Sequence, residues 1–235
     1  MLQIQGLSCP NILSSVDLAA GPTEFVGLAG CNGSGKTTLL KCIAGIIREV
    51  EGDIRVGGQG IDTMPQRQLA RLVSYVPQIV ETRIPYTVMD FLQLSRFPRF
   101  GFTRQGGPSA PLEEILRELG IHHLRDRITG SLSGGELQKV LIGAALAQDT
   151  PVVLLDEPAS HLDPLRAREL VNLFGSLRDR RDRLYLMVSH QSDHLATICD
   201  RVVAMKNGRI AGEYSPEMTL DDNWQEQIYG NGDRP

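Results

Sequence analysis

The chain has 235 residues, which is long enough for one domain with a sizeable core, and apolar residues make up 41% of it. Its formal charge of −4 disfavours a nucleic-acid-binding protein, because such proteins usually carry a basic surface. The four cysteines form no CxxC pair, and neither a signal peptide nor a membrane-length apolar run is visible, so we expect a cytosolic protein with reduced thiols.

The first third of the chain is predicted to contain strands and one amphipathic helix. Short apolar segments predict strands at residues 2–7, 12–18, 24–29, 54–56 and 72–76. A helix is predicted after residue 36, since Leu39, Ile43 and Ile47 recur at a spacing of four residues. The strand at 24–29 and this helix flank a glycine-rich segment.

The middle of the chain, from residue 87 to about 147, looks helical. Thr87 with Asp90 resembles a capping box at its start. Residues 98–111 are rich in Gly, Pro and Arg and predict a loop, after which 112–119 return to helical spacing. This stretch therefore looks like a helical subdomain of about 81–149, inserted into a core of about 1–80 and 150–235.

The last third alternates strands and helices. Strands are predicted at 152–155 and 184–188, with a helix between them. Segments 202–206 and 209–214 predict a hairpin, because Asn207-Gly208 favours a type I′ turn. Strands that alternate with helices predict an α/β fold with a mostly parallel sheet.

The glycine-rich segment at residues 30–37 reads GCNGSGKT and fits the pattern G-x-x-x-x-G-K-[ST]. Its glycines let backbone N–H groups face a phosphate, and the helix start adds the positive end of its dipole. We expect Lys36 to reach the β- and γ-phosphates of a nucleotide and Thr37 to bind Mg²⁺. A turn that binds nothing is the disfavoured alternative, because the strand-to-helix context matches as well.

Two acids, Asp156 and Glu157, follow the strand predicted at 152–155. Ligands of α/β proteins bind at the carboxyl ends of parallel strands. We expect Asp156 to hold the Mg²⁺ shell and Glu157 to polarise an attacking water. An acidic pair alone is often a solvated strand end, but together with the glycine-rich segment it indicates a nucleotide hydrolase. No N-K-x-D stretch appears, so ATP is preferred over GTP.

A second segment with phosphate-binding character, SLSGGELQK at residues 131–139, leads to a family. With it, the chain resembles the ATP-binding cassette (ABC) family over essentially its whole length, with the motifs in family order. The resemblance implies an ABC-type P-loop NTPase fold with a parallel core sheet, an N-terminal antiparallel β subdomain and an inserted helical subdomain. A Gly-Gly turn that only caps a helix is the alternative interpretation of 131–139.

The resemblance also implies roles for individual residues. The ATP-binding loop comprises Gly30, Cys31, Asn32, Gly33, Ser34, Gly35, Lys36, Thr37 and Thr38. The catalytic residues are Glu157, the switch histidine His190 and the Q-loop residue Gln78, and Mg²⁺ is held by Thr37, Gln78 and Asp156. Because two cassettes pair head to tail in that family, the residues expected to contact a partner's ATP are Ser133, Gly134, Gly135, Glu136 and, in the D-loop 160–163, Asp163.

Two features of the sequence leave alternatives open. His190 and His194 are four residues apart and form a disfavoured candidate metal pair, since no third ligand is evident. The family's adenine-stacking aromatic is missing from residues 6–10, where Cys9 is the candidate occupant. We therefore expect weak ATP affinity or loose selectivity for the base.

The segment from Pro85 to Arg99 and the tail at 219–230 resemble cassettes that power import of iron siderophores, haem and cobalamin. This resemblance implies that the chain pairs with a second cassette, most simply as a homodimer, and that a membrane permease docks near residues 79–100. A substrate-binding protein would interact indirectly, through the permease, and no nucleic acid is expected as a partner. The chain would lie on the cytoplasmic face of the membrane. A Zn²⁺ or Mn²⁺ importer and a soluble ATPase of iron–sulfur cluster assembly are the alternatives. A DNA-repair ATPase is disfavoured because no long coiled coil is inserted.

Overall fold

The computed structural model describes residues 1–78, 85–101, 110–160 and 162–230. The strands in these residues are β1 Leu2–Cys9, β2 Leu13–Ala20, β3 Phe25–Ala29, β4 Glu51–Val56, β5 Gln59–Gly60, β6 Val73–Val76, β7 Val152–Asp156, β8 Leu184–Val188, β9 Arg201–Lys206 and β10 Arg209–Tyr214. The α-helices are α1 Lys36–Ile43, α2 Gln66–Leu69, α3 Val88–Ser95, α4 Phe97–Phe100, α5 Ala110–Glu118, α6 Gly134–Ala147, α7 Pro164–Asp179, α8 Ser192–Ile198 and α9 Asp222–Tyr229.

A six-stranded sheet with the order β10-β9-β3-β8-β7-β6 forms the centre of the molecule. All its pairs are parallel except β9 with β10, which confirms the predicted mostly parallel sheet. Every residue of β3, β7 and β8 is buried, as continuous apolar strands covered on both faces require. Because β3, β6, β7 and β8 run in the same direction, their carboxyl ends meet at one edge of the sheet.

A second sheet, β2-β1-β4-β5, is antiparallel throughout and confirms the antiparallel N-terminal part. The β9–β10 hairpin is also confirmed, and both of its turn residues have positive φ, at +50° for Asn207 and +73° for Gly208. This combination is the backbone signature of a type I′ turn.

Two apolar clusters cover the two faces of the central sheet. Side chains of a strand alternate between faces, so Val153 and Leu155 of β7 belong to one cluster and Val152 and Leu154 to the other. The first cluster includes buried residues of α3, α5, α6 and α7, while the second includes α1 and the antiparallel sheet. The helices of the middle segment thus pack on the central sheet, and the exact division into core and inserted subdomain stays a prediction.

Two predicted elements differ from the structure. Helix α1 ends at Ile43 and does not continue to Ile47, because Gly45 has a φ of +66°, which is outside the helical region. A side chain at Gly45 would also be too close to Leu69, since a Cβ there would lie 2.5 Å from the Leu69 side chain. The loop predicted at 98–111 begins with helix α4, which has the Arg67 guanidinium 5.1 Å from the ring centroid of Phe97. Residues 102–109 of that loop lie outside the described residues.

Within the described residues, none of the helices has both the length and the apolar character that a bilayer crossing demands.

Candidate nucleotide site

The loop between β3 and α1 curls around its own lysine. The Lys36 Nζ donates hydrogen bonds to the carbonyl oxygens of Gly30, at 2.7 Å, and Cys31, at 2.9 Å. The curl requires positive φ at Gly33 and Gly35, and a Cβ at Gly30 would lie 2.2 Å from the Met205 carbonyl oxygen. Glycine is therefore needed at these positions, and the sequence pattern specifies it at Gly30 and Gly35.

Helix α1 presents its amino end to the same loop. Its N-cap is Gly35, and among the described residues no side chain caps the first turn, which also contains no acidic residue. The first N–H groups of a helix have no partner within the helix, and they carry the positive end of its dipole. This end of α1 is therefore suited to an anion such as a phosphate.

A buried carboxylate links the helix to the sheet edge. The Thr37 Oγ1 donates to Asp156 Oδ1 at 2.9 Å, and the Tyr75 hydroxyl donates to Asp156 Oδ2 at 2.9 Å. Burial raises the pKa of Asp156, although the two hydrogen bonds act in the opposite direction. Tyr75 was missed by the sequence reasoning, because only the pairing of β6 with β7 brings it beside Asp156.

These residues fit a magnesium ion. Thr37 and Asp156 offer a hydroxyl and a carboxylate oxygen in contact, and Gln78 is exposed two residues past the end of β6. Mg²⁺ prefers oxygen ligands and takes only one or two from protein when phosphates supply others. Across the described residues, no group of three or more His, Cys, Asp or Glu side chains is arranged to hold a metal, which also gives the His190–His194 pair no third ligand.

Glu157 and His190 come together at the same edge. The Glu157 Oε2 and the His190 Nδ1 are 2.8 Å apart, although the two residues are 33 positions apart in the chain. Glu157 has a φ of +49°, which is unusual for a residue with a side chain. Its N–H donates to the Val188 carbonyl at 3.1 Å, and the Ser160 hydroxyl donates to its carbonyl at 3.0 Å. Both neighbouring segments therefore hold the acid in place.

The hydrogen bond with Glu157 is the main reason that the pKa of His190 is raised, while partial burial opposes the shift. A raised pKa extends the pH range over which His190 is protonated. The geometry thus gathers a histidine, a carboxylate and the amino end of α1 around one edge of the sheet.

The segment at 131–139 forms the start of α6. Ser133 is the N-cap, its hydroxyl and N–H both donate to Glu136 Oε2 at 2.8 Å, and the Glu136 N–H donates back to the Ser133 Oγ at 3.4 Å. This is a capping box, and hydrogen bonds from Ser133 lower the pKa of Glu136. The Glu136 carboxylate is thus engaged by its own helix, while Gly134 remains exposed.

Arg166 joins this segment to the start of α7. Its Nη1 is 3.5 Å from the Ser133 Oγ, its Nε is 3.3 Å from Asp163 Oδ2, and a Cβ on Gly135 would lie 3.0 Å from Arg166. Asp163 is the N-cap of α7. His161 of the predicted D-loop lies outside the described residues.

The predicted site residues therefore form two groups. The phosphate loop, Thr37, Asp156, Glu157 and His190 share the sheet edge, whereas Ser133, Gly135 and Asp163 gather around Arg166. The hydrogen bonds of Ser133 and Glu136 within the described residues do not reach the phosphate loop. Their roles toward a nucleotide stay predictions.

The expected occupant of the base-binding position is corrected by the structure. Cys9 belongs to β1 and is buried, with 7% exposure, so its thiol does not face a base. Ile12 has 43% exposure, and its carbonyl oxygen lies 3.5 Å from where a Cβ on Gly35 would be. The backbone of Ile12 thus lies beside the phosphate loop while its side chain is exposed, a combination that sequence reasoning missed.

A profile of the family described as "ABC transporter" matches residues 13–160. The petrobactin import ATP-binding protein FpuC of Bacillus anthracis is 34% identical over 220 residues, covering 92% of this chain and 79% of that protein. The cobalamin import ATP-binding protein BtuD of Halobacterium salinarum is 32% identical over 217 residues, which are 91% of this chain and 54% of that protein. The chain thus spans about half the length of this cobalamin import relative.

An export protein is about as similar. The lipopolysaccharide export system ATP-binding protein LptB of Haemophilus influenzae is 31% identical over 220 residues, covering 93% of this chain and 90% of that protein. Among solved structures, cbiO1 from Clostridium perfringens superposes with a TM-score of 0.81 at 23% identity, over 95% of this chain and 91% of that chain, which shows the same fold. The phosphate loop, the acids at the end of β7 and these matches lead to one conclusion: the chain belongs to the ABC transporter family, as an ATP-binding cassette.

Proposed function

We propose that this chain is the ATP-binding and ATP-hydrolysing subunit of an ABC importer that takes up a metal chelate, namely an iron siderophore, haem or cobalamin. The observation that carries the hydrolytic role is the 2.8 Å contact of Glu157 with His190, beside the Thr37–Asp156 contact of 2.9 Å. The cargo class is supported by relatives whose names refer to import of petrobactin, achromobactin and cobalamin, at 34%, 31% and 32% identity.

The residues at the sheet edge divide the work of hydrolysis. Lys36 and the uncapped N–H groups of α1 bind the β- and γ-phosphates of ATP. Mg²⁺ held by Thr37, Gln78 and Asp156 supplies neutralisation of phosphate charge when it is bound. Glu157 orients and polarises the attacking water, and its contact with His190 keeps the carboxylate at the strand end.

The second half of the site comes from a partner cassette. Ser133 and the N–H groups at the start of α6 are suited to the γ-phosphate of the other subunit's ATP, in place of an arginine finger. Asp163 reaches the same interface, while Glu136 acts by fixing the start of α6. A homodimer places each phosphate loop opposite a signature segment, because the two surfaces are related by a two-fold axis.

The surface after the Q-loop is the docking site for the permease. Tyr86, Leu94 and Phe100 are large apolar side chains with 46%, 38% and 36% exposure. Phe91, in contrast, packs against the core cluster, so it supports the helix and not the partner. Residues 79–84 of the predicted groove lie outside the described residues.

Two measurements, ATP hydrolysis and ATP-dependent dimer formation, test the proposed ATPase function. Phosphate release from ATP tests the enzyme, with Glu157→Gln as the inactive variant that still binds ATP and accumulates as a dimer in size-exclusion chromatography. Hydrolysis that is equal in both proteins contradicts the assigned role of Glu157. Size exclusion with ATP that shows only monomer contradicts the composite site.

The transport role is tested by affinity purification from detergent-solubilised membranes of the native host, followed by mass spectrometry. We expect a polytopic permease in a one-to-one ratio and, through it, a binding protein that identifies the cargo. Recovery of an export permease, or of cytosolic proteins only, contradicts the proposed import function. Neither outcome contradicts the proposed ATPase activity.

A further inference from the structure

Tyr75 lies on the edge strand of the central sheet, next to the nucleotide site. It is the third residue of β6, which pairs with β7 in a register that sets Tyr75 beside Leu154 and Val76 beside Leu155. Side chains that are paired in a parallel register point to the same face, and so do residues two apart on one strand. Tyr75, Leu154 and Asp156 therefore share one face of the sheet, which is the face that α1 covers.

The ring and the hydroxyl of Tyr75 have different surroundings. The half-buried side chain packs against the second apolar cluster, to which Leu154 and the buried residues of α1 belong. The hydroxyl at its far end donates to Asp156 Oδ2 at 2.9 Å. Phenylalanine would supply the same packing, so apolar contacts alone do not require a hydroxyl at this position.

The Asp156 carboxylate is held at both of its oxygens. The Thr37 Oγ1 donates to Oδ1 and the Tyr75 hydroxyl donates to Oδ2, each at 2.9 Å. Asp156 is only 1% exposed, so solvent water does not readily replace a donor that is lost. One donor at each oxygen restrains the rotation of the carboxylate group. Because the three side chains come from α1, β6 and β7, this carboxylate is the point at which the three elements are joined.

The two donors have different relations to the proposed metal site. Thr37 belongs to the phosphate loop and is itself proposed to bind Mg²⁺, so Oδ1 is the oxygen of Asp156 that faces this loop. Oδ2 is bonded to β6, through a residue that belongs neither to the phosphate loop nor to the acidic pair. In metal sites, a group that hydrogen-bonds a ligand from outside fixes the orientation of that ligand. Tyr75 has this relation to Asp156.

We propose that Tyr75 is a positioning residue for Mg²⁺: its hydroxyl holds Oδ2 of Asp156 and so keeps Oδ1 turned toward Thr37, where the ion would bind. The inference rests on the proposed ATPase function and adds to it a residue outside the recognised motifs. The Tyr75 hydroxyl bonds the carboxylate and, within the described residues, has no hydrogen bond to the phosphate loop. It should therefore affect the contribution of the metal and not the binding of a nucleotide without metal.

Tyr75→Phe tests the hydroxyl, because it keeps the ring and its packing. The probe is a fluorescent, non-hydrolysable ATP analogue, titrated once with Mg²⁺ and once in EDTA. With Mg²⁺, we expect the variant to bind the analogue about tenfold more weakly than wild type does, as is typical when a group that orients a metal ligand is lost. In EDTA, both proteins should bind it equally, which also shows that the variant is folded. Equal affinities with Mg²⁺, or the same loss in EDTA, overturn the proposal.

Tyr185→Phe is the matched control. Tyr185 is a buried tyrosine of β8, on the other side of β7, and its ring stacks on Phe25 at 5.0 Å between centroids. Its hydroxyl has no hydrogen-bond partner within the described residues. This variant should bind the analogue as wild type does, both with Mg²⁺ and in EDTA. A tenfold loss that is confined to Mg²⁺ in this control as well would overturn the specific role of Tyr75.

The double variant Tyr75→Phe, Asp156→Asn tests whether the hydroxyl acts through the carboxylate. Compared with Asp156→Asn alone, we expect no further loss of affinity with Mg²⁺, because the two residues act as one unit. A further loss overturns the proposal. A wild-type protein that binds the analogue more tightly with Mg²⁺ but releases no phosphate from ATP contradicts the proposed ATPase function, and the same binding comparisons still decide the role of Tyr75.

Discussion

Glu157 has a backbone conformation that costs energy, and its surroundings are what maintain it. A positive φ costs a residue with a side chain on the order of 1–3 kcal/mol. The bond from its N–H to Val188 and the bonds from Ser160 to its carbonyl over-determine the conformation. The strained residue aims its carboxylate at His190, an arrangement that would preorganise Glu157 for its proposed role in hydrolysis.

The raised pKa of His190 makes stability depend on pH. Its folded pKa lies above the ordinary value of 6.5, so the stabilisation is fully present below about pH 6.5 and is lost as pH rises through the folded pKa. We expect the difference in unfolding free energy between wild type and His190→Gln to shrink as the pH rises from about 6 to about 8.5. Urea unfolding at several pH values measures it. A difference that grows with pH would contradict the assigned contact with Glu157.

The exposed Ile12, whose backbone lies beside the phosphate loop, is our candidate for the position that receives the base. Without an aromatic ring there, we expect weak ATP binding or little selectivity over GTP. Ile12→Tyr should tighten ATP binding at least about fivefold, because stacking of a base on an aromatic ring contributes about 1–3 kcal/mol. Fluorescence titration with ATP and GTP measures both affinities.

The control for this experiment is Ile46→Tyr, since Ile46 is also exposed but lies beyond the end of α1. It should leave both affinities unchanged. Tight, ATP-selective binding by the wild type would contradict the predicted consequence of the missing aromatic ring.

At the scale of elements, Ser133 at the start of α6 combines a structural role with a proposed functional one. Ser133 caps its helix, and it is proposed to bind a partner's ATP, whereas Thr87 only caps α3 by accepting from the Asp90 N–H at 3.1 Å. Replacing either cap by alanine should lower the free energy of unfolding by about 1 kcal/mol. Only Ser133→Ala should also lower kcat, by about tenfold or more, because it alone removes a donor at the γ-phosphate.

Denaturant unfolding and ATPase assays on both variants separate the two functions. An equal fall of kcat in Thr87→Ala would mean that Ser133→Ala lowers kcat only because it destabilises a helix. A capping box and a phosphate-binding segment can share a sequence pattern, because each uses the N–H groups of the first helical turn.

At the scale of the whole molecule, the two groups of site residues predict that one chain is not a complete enzyme. Lys36→Ala should inactivate the phosphate loop and Ser133→Arg the signature segment, so each variant alone should be inactive. Co-expressed together, they should recover about a quarter of wild-type activity, because half of the dimers are mixed and each mixed dimer keeps one intact composite site of two.

In the control, Lys36→Ala is co-expressed with a double variant that carries both Lys36→Ala and Ser133→Arg. No chain in this mixture has an intact phosphate loop. That mixture should stay inactive. If the first mixture is inactive as well while each variant still dimerises, the two motifs serve a site within a single chain.

The sequence by itself determined the class of fold, the order of the motifs and the residues of the phosphate loop. These follow from patterns that are local, since a period of two or four residues, a glycine that needs positive φ and a helix start are all set within a few neighbouring positions. The continuous apolar runs of β7 and β8 also predicted burial on both faces, and hence parallel strands, without any knowledge of their partners.

Only the tertiary structure decided which distant side chains meet. Tyr75 reaches Asp156 across 81 positions, and Thr37 reaches the same carboxylate across 119, because parallel strands are joined by long crossovers whose pairing no local pattern contains. The burial of Cys9 has the same origin. The chemistry of each residue is local, but its use depends on strands and helices packed from opposite ends of the chain.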